Sequence, residues 1–150
     1  MKIIEYSRAH RLSFKKLNEE WLEKYFNIEP YDSTLLENCE SEIINKGGYI
    51  FFGIIDNEVM GTYALLPPVN GRTELGKMAV TESYQGKGYG QQLLKHALST
   101  AKSLGIKEIF LFSNRILKNS IYIYKKFGFK EVENVDSPYK RGNIKMLAKL

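Results

Sequence analysis

Between Glu74 and Gly90 the chain reads ELGKMAVTESYQGKGYG, and its three closing glycines, Gly86, Gly88 and Gly90, can do chemistry without side chains. Glycine leaves the backbone bare at a turn, so main-chain N–H groups can approach an anion closely. A helix expected to start near Gly88 adds its own unpaired N–H groups and the positive end of its dipole. Together these make a seat for phosphate oxygens. Two familiar phosphate loops do not fit. A P-loop needs four residues between its glycines and then Lys with Ser or Thr, a string that does not occur here. A dinucleotide fingerprint needs Gly at the sixth position, where this chain has Gln91, and it belongs in an N-terminal βαβ unit rather than mid-chain behind a meander.

Gln85-Gly86-Lys87-Gly88-Tyr89-Gly90 resembles the Q/R-x-x-G-x-G/A signature of the GNAT superfamily of N-acetyltransferases. Downstream, Tyr122-Ile123-Tyr124-Lys125-Lys126-Phe127-Gly128-Phe129 resembles the closing Y-x-K-x-G-F segment of the same family, with a helix and a strand between the two. The resemblance covers about residues 50 to 135 well and the first 45 only loosely.

It implies an α/β (α+β) GNAT-type fold, a mixed, mostly antiparallel sheet with helices on both faces and a splay between strands four and five. It implies acetyl-CoA as co-substrate, its diphosphate at Gln85, Gly86, Lys87, Gly88, Tyr89, Gly90 and Gln91. The pantetheine arm would lie in the splay against the backbone of Met78, Ala79 and Val80, as an added strand does. Asn114 and Asn119 are both placed to bind that arm, and neither sits at the family's commonest spacing to Tyr124. Glu74, eleven residues before Gln85, is the implied general base, with a water chain through Glu5, Glu29 or Asp32 as the alternative. Tyr124 is the implied acid toward the coenzyme sulfur, Tyr122 a structural neighbour, and the N–H near Met78 the oxyanion donor. The expected activity is direct acetyl transfer to a primary amine of a small molecule or peptide, no nucleophile being placed for an acyl-enzyme. The alternatives are a coenzyme-binding sensor that has lost turnover, and a nucleic-acid adaptor.

The positioning elements can be laid out in order. Lys2 to Tyr6 reads as a strand. Phe14, Leu17, Trp21 and Tyr25 make one helical stripe within Arg8 to Phe26. Leu35, Leu36, Cys39 and Ile43 repeat that spacing in a second helix, with Asp32 or Ser33 expected as its cap and Gly47-Gly48 as its stop. Tyr49 to Ile55 and Val59 to Leu66 read as a hairpin turning at Asp56-Asn57-Glu58, and Arg72 to Val80 as a third strand of the meander. A helix from about Gly88 to Leu104 turns Leu93, Leu94, Ala97, Leu98 and Ala101 inward and leaves His96 in solvent. Lys107 to Phe112 should pair in parallel across this helix. A short helix over Asn119 to Phe127 and strands at Phe129 to Glu133 and Ile144 to Leu150 follow, with a polar turn at Ser137-Pro138.

At 150 residues the chain is expected to be one domain. Its formal charge of +5 comes from scattered lysines, densest between Lys118 and Lys145, rather than from the contiguous stripe of a nucleic-acid groove. A basic rim, including Lys87, Lys118 and Lys125, equally suits a coenzyme bearing several phosphates. No apolar run approaches the ~18 residues of a membrane span. The opening MKIIEYSRAH lacks a leader's apolar core, and lone Cys39 reads as core filling in a reducing cytoplasm. Two histidines, one cysteine and no acidic pair at ligand spacing argue against a metal site. The acceptor should bind near Trp21, Tyr25, Tyr31 and Tyr63, and Ile144 to Leu150 is a candidate edge for homodimer pairing.

Overall fold

A computed structural model describes residues 1–150. Its strands are β1 (Lys2–Glu5), β2 (Tyr49–Ile55), β3 (Glu58–Leu65), β4 (Arg72–Val80), β5 (Glu108–Ser113), β6 (Lys130–Val132) and β7 (Ile144–Lys149). Its helices are α1 (Arg11–Tyr25), α2 (Pro30–Glu37), α3 (Tyr89–Ser103) and α4 (Lys118–Lys126). The strands form one sheet in the order β1-β2-β3-β4-β5-β7-β6. Asp56 and Asn57 fold β2 onto β3 by adopting left-handed φ of 50° and 63°. Short polar residues tolerate that region, and a turn of this hand matches the twist of the two strands.

All neighbours are antiparallel except β4 and β5, which run parallel on either side of the α3 crossover. Those two strands pair only from Arg72 to Glu74 against Glu108 to Phe110. Beyond Glu74 they part, and the sheet opens toward the start of α3. The expected splay is therefore present.

The expectation for the last strand needs correcting. β7 is inserted between β5 and β6, and its Lys145, Met146 and Leu147 have partners on both sides. Over those residues it offers no free edge to a second subunit. Sequence order suggested an edge because the strand comes last, but β6 is the outermost.

Two apolar cores sandwich the sheet. One packs Leu93, Leu94, Ala97 and Ala101 of α3 on Phe51, Tyr63, Leu65, Leu75, Ile109 and Leu111. The other packs Phe14 and Leu22 of α1, with Leu35 and Leu36 of α2, on Ile50, Phe52, Ala64 and Leu66. Cys39 is buried in this second core, as its spacing predicts. The cap of α2 differs from expectation. Pro30 opens the helix, Glu29 is the N-cap, and Asp32 is the third helical residue, accepting the Glu29 N–H at 2.9 Å in a reciprocal capping box. α2 then stops at Glu37, and a wide π-type turn over Glu40–Ile44 carries the chain to Gly47.

One irregularity in β4 sets up the site. Thr62 faces Ala79 and Ala64 faces Gly76, so Lys77 and Met78 together oppose Tyr63. This is a β-bulge, and Lys77 accommodates it with φ of 52°. Plain alternation would put Lys77 on the same face as Leu75, which lies in the α3 core. The extra residue turns Lys77 to the α2 side, where its ammonium meets Asp32, and returns Met78 and Val80 to the α3 side.

Candidate active site

The glycine turn leads straight into α3. Gly86 and Gly88 have φ of 75° and 87°, and Gly88 is the helix N-cap. No side chain caps the helix and its first turn carries no acidic residue, so those N–H groups have no side-chain competitor for an anion. A Cβ added at Gly86, Gly88 or Gly90 would meet nothing within 4 Å, so open space lies directly over the bare backbone. The turn is tied back to β4 by Gln85, whose Nε2 donates to the Val80 carbonyl at 2.8 Å.

This turn forms one end of a cleft of about 820 Å³ that runs into the splay. Along its β4 wall, Thr81 N–H donates to the Met60 carbonyl at 2.8 Å. The alternation of an antiparallel ladder then points the main-chain groups of Val80 and Met78 the other way, toward the edge that β5 has left. That edge is where an extended arm could pair.

Glu74 lies where β4 and β5 part and lines the cleft. Its carboxyl has room because the next residue on that face is Gly76, where a Cβ would sit 3.2 Å from Glu74 Oε2. No protein group hydrogen-bonds it. Burial pushes its pKa up to about 7, against the pull of Lys77 and Lys145. Tyr124 lines the opposite wall, from α4, with its ring edge-on to Phe129 at 5.8 Å. Burial raises its phenol to about 12, so it is a hydrogen-bond donor throughout the neutral range. The cleft thus holds a carboxyl that titrates near neutrality and a phenol that stays protonated.

The far end of the cleft is closed by an ionic clamp that sequence spacing does not reveal. Arg141 grips Asp32 through two bonds of 2.7 Å and reaches Glu29 at 3.2 Å. Lys77 is bonded to the same Asp32. The Tyr139 ring lies against both cations, 4.3 Å from the Arg141 guanidinium and 4.6 Å from Lys77 Nζ. Burial opposes the ionised form of Asp32, but Arg141 and Lys77 outweigh it and hold the carboxyl below the ordinary range. Burial likewise lowers the pKa of Lys77, against the attraction of Asp32. Arg141, Tyr139 and Lys77 line the cleft, yet no motif marks them. Their partners lie 109 and 45 residues away, so only the folded chain brings them together.

Most residues expected at the site line this cleft: Glu74, Met78, Ala79 and Val80, then Gln85, Gly86, Gly88, Gly90 and Gln91, and finally Asn114, Asn119 and Tyr124. Lys87 and Tyr89 do not. Their side chains turn to Tyr84, the Lys87 ammonium over its ring at 5.7 Å and the Tyr89 ring edge-on at 5.9 Å. The two asparagines separate by their bonding. Asn114 is spent on joining two loops, donating to the Arg141 carbonyl at 2.7 Å and accepting the Ile116 N–H at 3.0 Å. Asn119, in the first turn of α4, has no protein partner. Glu5 lies in β1, at the far edge of the sheet, and Glu29 and Asp32 are held in the clamp, so none lines the cleft. Tyr122 is exposed on α4, away from the cleft.

Two expectations fail because the sheet separates what sequence spacing suggested would be close. Tyr63 is fully buried on the α3 face and does not reach the acceptor end. His96 is half-buried rather than solvated, because the Tyr63 hydroxyl reaches up to its Nδ1 at 2.7 Å. A helical wheel shows which way a side chain leaves its helix, but not what rises from the strand beneath it. No helix is long and apolar enough to cross a membrane.

Comparison with known proteins agrees with this geometry. Residues 12–129 match the model of the acetyltransferase (GNAT) family. An uncharacterized N-acetyltransferase of Bacillus subtilis, YvbK, is 30% identical over 116 residues, which is 75% of this chain and 74% of that protein. A ribosomal protein bS18-alanine N-acetyltransferase of Haemophilus influenzae is 26% identical over 85% of this chain and 82% of its own. Among solved structures, a GNAT-family acetyltransferase from Staphylococcus aureus Mu50 superposes with a TM-score of 0.87 at 26% identity, covering 99% of this chain and 98% of that one. The PaiA N-acetyltransferase of Thermoplasma acidophilum, solved in complex with coenzyme A, shares the fold at a TM-score of 0.76 and 22% identity, with 99% and 98% covered. With its glycine turn and splayed sheet, this chain belongs to the GNAT family of acetyl-CoA-dependent N-acetyltransferases.

Proposed function

We propose that the protein moves the acetyl group of acetyl-CoA directly to a primary amine of a small molecule or peptide, with Glu74 as base and Tyr124 as acid. The observation that carries this is the Glu74 carboxyl, free of protein partners, its pKa pushed up to about 7, in the same cleft as the glycine turn. The residues present suit the coenzyme: bare amides with open space over Gly86 to Gly90, a backbone edge at Met78 and Val80, and the free amide of Asn119 along the way. When bound, acetyl-CoA supplies an activated thioester carbonyl and a sulfur leaving group.

The chain's residues then have three tasks. An alkylamine of pKa ~10.4 is protonated at pH 7, and neutralising it costs about 4.6 kcal/mol. A carboxylate of pKa near 7 in a sheltered site accepts that proton far better than an ordinary glutamate. The Met78 N–H faces the splay and donates to the acyl oxygen as negative charge grows there. The Tyr124 hydroxyl donates to the departing sulfur. Full transfer from a phenol of ~10 to a thiolate of ~8.5 is uphill by about 2 kcal/mol. Burial of Tyr124 widens that gap, so a strengthened hydrogen bond describes its role better than complete proton transfer.

A thiol-release screen over amine classes, run on wild type and Tyr124→Phe, tests this. The variant should bind the coenzyme as wild type does while turnover falls at least tenfold. Unchanged turnover removes Tyr124 from the mechanism. Coenzyme binding without thiol release from any amine removes the transferase itself in favour of a sensor.

A further inference from the structure

The class of acceptor follows from the charges at the far end of the cleft, given the transferase reading above. Each cation there already has its anion. Arg141 is matched to Asp32 and Glu29, Lys77 to Asp32, and Lys145 to Asp136 at 2.9 Å. At the rim, Lys24 is paired with Glu82 at 2.8 Å. At this end of the cleft two sheltered polar groups are left without a protein partner, the Glu74 carboxyl and the Tyr139 hydroxyl. Burial and the neighbouring Glu74 hold that hydroxyl in its neutral form.

The walls around these two groups are aromatic. Trp21, Tyr25 and Phe26 stand at the C-terminal end of α1, facing the cleft that Tyr139 lines from the other side. The indole N–H of Trp21 is spent on Asn18 Oδ1 at 3.2 Å, so its ring offers the cleft apolar surface. Phe26 lies edge-on to it at 6.1 Å. Tyr25 is 46% exposed, unusually open for an aromatic beside a cleft.

We propose that the acceptor is a small monoamine with an uncharged aromatic or apolar body, its ammonium on Glu74 and its body among Trp21, Tyr25, Phe26 and Tyr139. An amine carrying its own carboxylate would bring a second anion beside Glu74 and find no cation to receive it. A polyamine or aminoglycoside would bring further ammonium groups and find no second free carboxylate. In each case an ion loses water and gains no partner, which is the arrangement that excludes a ligand.

Trp21 is the chain's only tryptophan, so binding can be read without catalysis. With coenzyme A present at pH 8, where Glu74 is mostly ionised, tryptophan emission is titrated with 2-phenylethylamine, phenylalanine and spermidine. Thiol release from acetyl-CoA is measured with the same three amines. 2-Phenylethylamine should half-saturate at a concentration at least tenfold below the other two, and its kcat/KM should lead by the same margin. Phe26→Ala should weaken 2-phenylethylamine several-fold and leave spermidine unchanged. Tighter binding or faster turnover of phenylalanine or spermidine overturns the assignment, as does failure of 2-phenylethylamine to perturb Trp21. Selective binding of 2-phenylethylamine without thiol release supports the pocket assignment and overturns the transferase reading alone.

Discussion

The pH dependence of turnover tests the role of Glu74 most directly. An ordinary glutamate, near 4.5, is fully ionised from pH 6 upward and would give no ionisation step there. With its pKa pushed up to about 7 by burial, Glu74 should be only about one-tenth ionised at pH 6, half at pH 7 and about nine-tenths at pH 8. Turnover that depends on the carboxylate should therefore rise about tenfold between pH 6 and pH 8. The amine adds its own slope, so wild type is compared with Glu74→Gln on the same acceptor. The variant should lose on the order of 10²-fold at pH 8, and its profile should lack the step near 7. The assay is initial-rate thiol release at saturating acetyl-CoA. A wild-type profile with no step between pH 6 and 8, or one that persists in Glu74→Gln, refutes the assignment.

Three further outcomes follow from other parts of the molecule. Gly88→Ala forces a left-handed residue at φ of 87°, costing ~1–2 kcal/mol, and puts a methyl where the diphosphate must come. Coenzyme affinity by calorimetry should fall at least tenfold while the fold survives, and an unchanged Kd would move the seat elsewhere. Asp32→Ala strips the clamp of its shared anion and leaves Lys77 and Arg141 buried without it, a loss of roughly 3–5 kcal/mol. The Tm should drop on the order of 10 °C, and a drop of a degree or two would show the clamp to be dispensable. His96 is neutral between the Tyr63 and Thr100 hydroxyls, and burial lowers its pKa below 6.5. Its stabilising contribution is complete above pH 6.5 and is lost as pH falls through that value toward its folded pKa. Glu74, raised in the fold, works the opposite way over the same range. The denaturation difference between wild type and His96→Gln isolates the histidine, and a difference that does not shrink from pH 7 to pH 5 refutes this.

The parts of the site legible in the sequence are those built from neighbours in the chain. Gly86 to Gly90 announce the proposed phosphate seat because bare amides and a helix start are local events. Asp56-Asn57 announce their hairpin for the same reason. Tyr124 and Glu74 are recognisable only through their spacing to these landmarks. The bulge at Lys77 has no such signature, since lysine is not a residue that advertises a left-handed φ. Yet that bulge decides which side chains face the far end of the cleft. Arg141 sits in a polar stretch that reads as an ordinary turn, and its meaning depends on Asp32 at the opposite end of the chain. His96 escapes the helical wheel for the same reason, its partner Tyr63 rising from a strand 33 residues away. Local chemistry is written in the sequence; ionic and cross-layer partners become visible only after the layers assemble.

The interior position of β7 bears on how this protein comes into being. Strands β2 to β4 can zip together as they emerge, each onto the one before it. The far wall of the cleft cannot, because β5 leans on β4 at three residue pairs and on β7 at six. β7 follows β5 only after some thirty intervening residues, so its closure pays a larger entropic toll than any hairpin. During synthesis the glycine turn and its β4 wall can take shape on the ribosome, whereas Tyr139 and Arg141, which close the far end of the cleft, emerge only just before β7. The opposite wall waits for Ile144–Lys149 to slide between β5 and β6, so a chain stalled before that segment would carry the glycine turn without a finished cleft behind it.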